Sequence, residues 1–361
     1  MAYQQNAGSG RQYPGPADDE RIDRALRTEL ARLSLDGLAP DVPFAKDMPL
    51  GQSITIAKET DTAFAGIYKS LPLDPTLCPR DISAITARKY TVIEPTGVEI
   101  PIEIFQTRSL KPQPCLIYYH GGGMTILDAF LPPHRRWCTD LALAGCTVIL
   151  AGFRNAYVPA GLNPFPTGLS DCVSIFQWVR ENREQLSASS IIVQGESGGA
   201  NLALATTLQL RNSGMAPPDG ISISCPYISG MYGATPEAKA EHLPSLLSND
   251  GYFLNVSAMA HLARIYDPLD SSDPLCWPYH APAESFRDFP PVAISVNELD
   301  PLLDEGIALY RKLLAAGVQA RLRMNFGLTH VAEFIFRGAL PDHYDAKIAD
   351  IVSFAKSLAQ G

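Results

Sequence analysis

The residues best placed to do chemistry are Gly195-Glu196-Ser197-Gly198-Gly199, a G-x-S-x-G. A serine on a tight strand-to-helix turn sits in a strained backbone conformation with its hydroxyl exposed. The β-branched run Ile191 to Val193 reads as the buried strand before it. Ala200, Leu202, Ala203, Leu204, Ala205 and Leu208 read as the helix after it. Gly195 and Gly199 flank the serine because a Cβ at either place would collide with the neighbouring chain. The helix opening behind Ser197 also brings backbone N–H groups and a positive dipole end beside it. A glycine-rich turn with an incidental serine would spell the same five letters, so its partners decide its meaning.

Acyl transfer needs donors for a developing oxyanion, a base for the hydroxyl and a carboxylate to orient that base. His120-Gly121-Gly122-Gly123 follows the apolar run Cys115 to Tyr119 and supplies N–H groups unobstructed by side chains. The same glycines could form a plain tight turn. A nucleotide loop would need G-x-G-x-x-G or G-x-x-x-x-G-K-[ST], and neither occurs here. Of seven histidines, His120 belongs to the glycine turn, which its side chain is expected to order by hydrogen bonding. His134, His242, His261, His280 and His343 lie in helical or proline-rich stretches. His330 instead follows the strand Ala320 to Met324 through a short loop, at the sheet edge where Ser197 emerges. Asp300 follows the strand Val292 to Val296 at that same edge, although an aspartate before Pro301 also suits a helix N-cap. Asp304 and Glu305 fit first-turn acids of the helix behind it. The order Ser197, Asp300, His330 is that of α/β-hydrolases.

Positioning these residues requires a sheet. From Tyr90 onward, strand patterns alternate with helical ones, which predicts βαβ units and a mostly parallel sheet flanked by helices. An antiparallel hairpin, Tyr90 to Ile93 and Val98 to Phe105, opens it. The interval 226–291 breaks the rhythm, with many prolines and a helical pattern over Ser257 to Tyr266. A long insertion beyond a strand's C-terminal end overlies the ligand crevice. The predicted organisation is a disordered start at 1–17, N-terminal helices over 18–80 that join a cap, a catalytic domain at 81–225 and 292–361, and a cap insertion at 226–291. In the first helix, Ile22, Leu26, Leu30 and Leu33 make one apolar stripe, Asp18 is the expected cap, and packing onto the same chain is the expected fate. A second helical pattern runs from Ala63 to Leu71. No chemistry is visible in these first 80 residues.

Composition sets the exclusions. The 361 residues carry 29 Lys and Arg against 38 Asp and Glu, a net charge of −9 without a long basic run. That balance argues against nucleic acid and against anionic membranes. No stretch reaches transmembrane length, and Met1 to Pro16 lacks the apolar core of a signal peptide. Seven scattered cysteines without a C-x-x-C fit a reducing, cytoplasmic setting. H-E-x-x-H is absent and His330-x-x-Glu333 is too little to hold a metal, so no metal and no organic cofactor are expected.

Taken together, His120-Gly-Gly-Gly123, Gly195-Glu-Ser-Gly-Gly199, Asp300-Pro-Leu-Leu-Asp-Glu-Gly306 and His330 resemble the hormone-sensitive-lipase-like esterases, the bacterial family IV carboxylesterases. The resemblance covers about residues 90–340. It implies the α/β-hydrolase fold with a helical cap, Asp300 as the acid, and oxyanion donors at Gly122, Gly123 and Gly198. Phe153-Arg154 and Phe165-Pro166 with Asp171 are similar to further stretches of that family. Departures lie at Asn155 to Val158, at Glu196 and Gly198, and at Val331, all of which bear on pocket shape. The expected activity is serine carboxylesterase chemistry on short- to medium-chain esters: Ser197 attacks, His330 moves the proton, Asp300 fixes the tautomer. An amidase or deacylase on the same triad, or a catalytically silent receptor-like binder, are the alternatives. The expected partner is a small-molecule ester, and a homodimer is left open.

Overall fold

The computed structural model describes residues 15–72, 82–108 and 111–358. Two N-terminal helices come first, α1 (Arg24–Arg32) and α2 (Leu50–Ser70). The sheet region then runs β1 (Ile85–Ile93), β2 (Glu99–Thr107), β3 (Gln113–Tyr119), α3 (Pro132–Leu143) and β4 (Thr147–Ala151). A two-residue hairpin pair, β5 (Tyr157–Val158) and β6 (Gly161–Leu162), precedes α4 (Thr167–Glu181), β7 (Ala188–Glu196), α5 (Gly198–Asn212) and β8 (Gly220–Ser224). The insertion holds α6 (Pro236–His242), α7 (Ser245–Ser248) and α8 (Val256–Tyr266). Next come β9 (Val292–Asn297), α9 (Leu303–Ala315), β10 (Ala320–Asn325), α10 (Ala332–Ile335) and α11 (Pro341–Leu358).

Eight strands form one sheet in the order β1-β2-β4-β3-β7-β8-β9-β10. β1 and β2 form the antiparallel hairpin, β2 pairs antiparallel with β4, and every other pairing is parallel. The central strands β4 and β8 are buried from end to end and β7 at all but Ser189, as expected where helices cover both faces. Register explains how distant motifs meet. Tyr119 at the end of β3 pairs with Gly195 near the end of β7, so the turn after β3 lies beside Ser197. Asn297 of β9 pairs with Asn325 of β10, so the loops bearing Asp300 and His330 leave the sheet side by side.

The N-terminal region differs in detail from the sequence reading. Residues 1–14 of the expected disordered start lie outside the described residues. Pro16 is buried, and the Ala17 N–H donates to the Asp36 carbonyl at 2.9 Å. Helix α1 begins six residues after Asp18. Its cap is Asp23, whose Oδ1 accepts from the N–H groups of Ala25 at 2.8 Å and Leu26 at 3.0 Å. Asp23 wins because the Asp18 N–H is committed to a turn on Gly15. Ile22, Leu26 and Leu30 are buried in the main core, and Leu33 packs against it partly covered. Helix α2 starts well before Ala63 and lies against α8; its first half alternates buried Ser53 and Ala57 and half-buried Ile54 and Ile56 with exposed polar residues, which breaks up the apolar pattern. Ser53 Oγ meets His261 Nδ1 at 3.0 Å, and Phe64 packs edge-on to Phe253.

Candidate active site

The turn between β7 and α5 holds Ser197 at φ 55°, ψ −119°. This left-handed-side strain for a non-glycine residue is maintained by close packing on all sides. A Cβ on Gly199 would lie 1.9 Å from the Tyr119 carbonyl oxygen, and one on Gly195 would lie 2.4 Å from Gly199 backbone. The elbow is therefore pressed against β3 at a distance only glycine permits. Ser197 N–H donates to the Ser224 carbonyl at 2.9 Å, and its own carbonyl accepts from Tyr227 at 3.1 Å.

His330 and Asp300 meet at 2.8 Å, Nδ1 to Oδ2, both buried. Asp300 Oδ1 accepts from the Leu302 N–H at 2.9 Å, which closes a turn ahead of α9; the helix N-cap is Leu302, without a side-chain cap bond, so Asp300 is not the cap that its place before Pro301 suggests. Asn297 Nδ2 donates to the Thr329 carbonyl at 2.7 Å and to Glu333 Oε2 at 2.8 Å, which fixes the backbone just before His330. The Cys225 thiol lies beside this pair. Burial first, then the Asp300 charge, pushes it well above its ordinary value, so it stays protonated. Among the described residues the Ser197 hydroxyl holds no hydrogen bond. In ligand-free enzymes such bonds are often long and tighten when substrate arrives.

The glycine turn sits across from Ser197. Gly121 N–H donates to Glu196 Oε1 at 2.7 Å, whereas the N–H groups of Gly122, Gly123 and Gly198 have no acceptor among the described residues. A Cβ on Gly198 would lie 2.7 Å from the Gly123 nitrogen, so those donors are neighbours. His120 is no base. Its Nδ1 bonds the Gly121 carbonyl at 2.6 Å, its ring stacks on Phe153, and burial lowers it to about 3. Ser197, His330, Gly122 and Gly123 all line one cavity of about 580 Å³. Its walls are largely apolar: Leu35 and Leu38, Phe64 and Ile67 of α2, Met259 and Leu262 of α8. The arrangement can bind an apolar ester, hold a carbonyl oxygen on backbone donors and pass a proton between serine and imidazole.

Three residues that shape this site were not singled out as functional from sequence. Glu196 is buried and accepts from Tyr118 Oη at 2.8 Å as well as from Gly121. Burial raises it to about 8 against those bonds. A carboxylate between an apolar strand and the serine was the available signal, since a buried acid must find donors. Glu305, raised to about 8 by burial, holds the N–H groups of Ile228 at 2.6 Å and Ser229 at 2.7 Å. Asp304 Oδ2 accepts from the Ser245 N–H at 2.6 Å. The acids after Asp300 thus grip the insertion.

A family model described as alpha/beta hydrolase fold matches residues 116–334. Brefeldin A esterase, described as a bacterial homologue of human hormone-sensitive lipase, superposes with a TM-score of 0.92 at 42% identity over 96% of both chains. Esterase LipI of Mycobacterium tuberculosis is 30% identical over 221 residues, 60% of this chain and 65%, just under two thirds, of that protein. Ethyl acetate hydrolase of Pseudomonas putida is 27% identical over 283 residues, 76% of this chain and 81% of that one. This chain belongs to the α/β-hydrolase-fold family, in the branch of carboxylic ester hydrolases homologous to hormone-sensitive lipase.

Proposed function

We propose that this esterase acts through an acyl-enzyme on Ser197. His330 Nε2 takes the serine proton as Oγ attacks the ester carbonyl, and Asp300 holds the imidazole in the tautomer that can do so. The oxyanion is held by the N–H groups of Gly122, Gly123 and Gly198. His330 then protonates the leaving alcohol, and water releases the acid by the reverse path. The observation that supports this reading most is the convergence of three things on one cavity: a serine strained at φ 55°, a histidine bonded to a buried aspartate, and backbone donors without an acceptor.

A cap built from the N-terminal helices and the 226–291 insertion encloses the acyl group. Its walls suit short- to medium-chain esters with an apolar body, since about 580 Å³ lies within the range of ordinary ligand pockets. The six described cysteines are free and buried, which favours a reducing cytoplasm. No helix of the described residues is long and apolar enough to cross a membrane. A panel of p-nitrophenyl esters of increasing chain length, run beside the matching anilides, tests the reading. Turnover of esters up to medium length with anilides at least about a hundredfold slower is expected, because an amine leaves far less readily than an alcohol. Faster anilide turnover would make this an amidase, and no turnover of either would favour a binder.

A further inference from the structure

The loop 121–127, which carries Gly122 and Gly123, is fastened at both ends by acidic side chains from different parts of the chain. Gly121 N–H is held by Glu196 at the elbow. At the other end, Leu127 N–H donates to Asp61 Oδ1 at 2.9 Å, and Asp61 lies within the N-terminal helix α2. Between these anchors, the Thr125 hydroxyl has two acceptors for its one proton, the Gly123 carbonyl within the loop at 2.9 Å and the Leu262 carbonyl of α8 at 3.1 Å. Met124 at φ 56° and Leu127 at φ 72° are both left-handed, a conformation that branched and long side chains keep only when their surroundings impose it. Inside the loop the Thr125 and Ile126 N–H groups both donate to the Gly122 carbonyl at 3.0 Å, and the Ala156 and Tyr157 N–H groups reach the Met124 and Thr125 carbonyls, so its own turn and its neighbours share in holding the shape, with Leu127 tied outside it to Asp61.

We infer that Asp61 is a positioning residue for ester hydrolysis: by fixing Leu127 it aims the Gly122 and Gly123 N–H groups, and so makes helix α2 part of the catalytic machinery. The inference rests on the oxyanion role proposed above. Oxyanion donors lower a barrier only if they are aimed before the charge develops, and small displacements forfeit most of the effect. A carboxylate accepting a backbone N–H is a charge-assisted bond, stronger than a neutral one. Helix α2 also lines the cavity with Ile56, Ala63 and Phe64, so the element that touches the substrate is the element that holds the loop.

The test uses the full chain with Asp61→Ala and Asp61→Asn. For each, kcat and KM are measured on one p-nitrophenyl ester. Inhibition constants are measured for a trifluoromethyl ketone, which adds to Ser197 as a tetrahedral mimic, and for its methyl ketone counterpart, which does not. Asp61→Ala is expected to lower kcat about tenfold with KM within about twofold, and to weaken the trifluoromethyl ketone by the same factor while sparing the methyl ketone. Asp61→Asn keeps an oxygen acceptor for Leu127 and should recover most of the loss. Should the alanine variant fold poorly, Asp61→Ser, too short to reach Leu127, replaces it. An unchanged kcat, or equal losses in both variants with the trifluoromethyl ketone unaffected, overturns the inference while leaving the esterase reading intact. Absence of ester turnover by the wild type overturns that reading, and this inference with it.

Discussion

Replacing Asp300 by asparagine separates the two jobs of its carboxylate. Oδ1 closes the turn at Leu302 at 2.9 Å, and Oδ2 receives His330 Nδ1 at 2.8 Å. Asparagine keeps the first bond through its oxygen and turns its NH2 group toward the imidazole. A donor facing Nδ1 demands the tautomer with the proton on Nε2, and that nitrogen can no longer accept the Ser197 proton. Stabilisation of the imidazolium is lost as well. The expected fall in kcat is about 10⁴, or about 5.5 kcal/mol at about 1.36 kcal/mol per tenfold. Because the turn bond to Leu302 survives, the urea midpoint should move by less than the equivalent of about 1 kcal/mol. Asp304→Asn is the matched control. Asp304 Oδ2 accepts from the Ser245 N–H at 2.6 Å, while its own N–H donates to Ser245 Oγ at 3.1 Å. Weakening that grip should cost about 1–2 kcal/mol of stability and leave kcat within about tenfold. Steady-state hydrolysis of p-nitrophenyl butyrate and urea titration give both numbers. An Asp300→Asn enzyme within tenfold of wild type, or one less impaired than Asp304→Asn, would refute the assignment.

Three further outcomes follow from the structure. Burial lifts Glu196 from 4.5 to about 8, so the folded chain holds a proton that the unfolded chain has released. The stability this contributes is complete below about pH 4.5 and is lost as pH rises through about 8. Glu196→Gln mimics the protonated acid and keeps the oxygen that Gly121 and Tyr118 use, so its urea midpoint should fall less steeply between pH 5 and 8. Equal slopes would contradict this, although Glu305, shifted the same way to about 8, leaves some slope in both. Deleting residues 1–37 removes Ile22, Leu26 and Leu30, each worth about 1.5–3 kcal/mol of burial, together with the Leu35 wall of the cavity. Melting temperature should drop and chain-length preference shift. Unchanged values of both would make the segment an appendage. Gly199→Ala forces a Cβ to within 1.9 Å of the Tyr119 carbonyl and should abolish soluble, active protein, whereas Gly51→Ala in open space on α2 should be neutral or stabilising by up to about 1 kcal/mol. Comparable expression of the two would remove the close-approach argument.

The parts of this molecule legible in the sequence are those where one local rule dominates. Buried parallel strands show as nearly unbroken apolar runs, so β3, β4 and β7 could be read within a few residues. Ser197 and the His120–Gly123 turn announce themselves through glycines that close approach demands. His330 could be singled out because it alone follows a strand by a short loop. What escaped depends on long-range partners. Asp23 caps α1 because Asp18 is held in a turn by Gly15. Helix α2 hides its length because polar residues interrupt its apolar ones and meet distant partners: Ser53 near its start faces His261 of α8, and Asp61 at its middle faces Leu127. Asp61, Glu196 and Glu305 act on backbone N–H groups up to 77 positions away, and no spacing rule records such pairs.

Everything here turns on whether an acyl group passes through Ser197. The direct measurement is mass spectrometry of the chain treated with a serine-directed fluorophosphonate, and of the chain acid-quenched during turnover of a p-nitrophenyl ester. Modification of the Ser197 peptide alone is the predicted result. A Ser197→Ala variant that stays folded should take up neither group and lose about three orders of magnitude or more in kcat. Modification at another residue, or undiminished turnover by Ser197→Ala, would contradict the account at its centre.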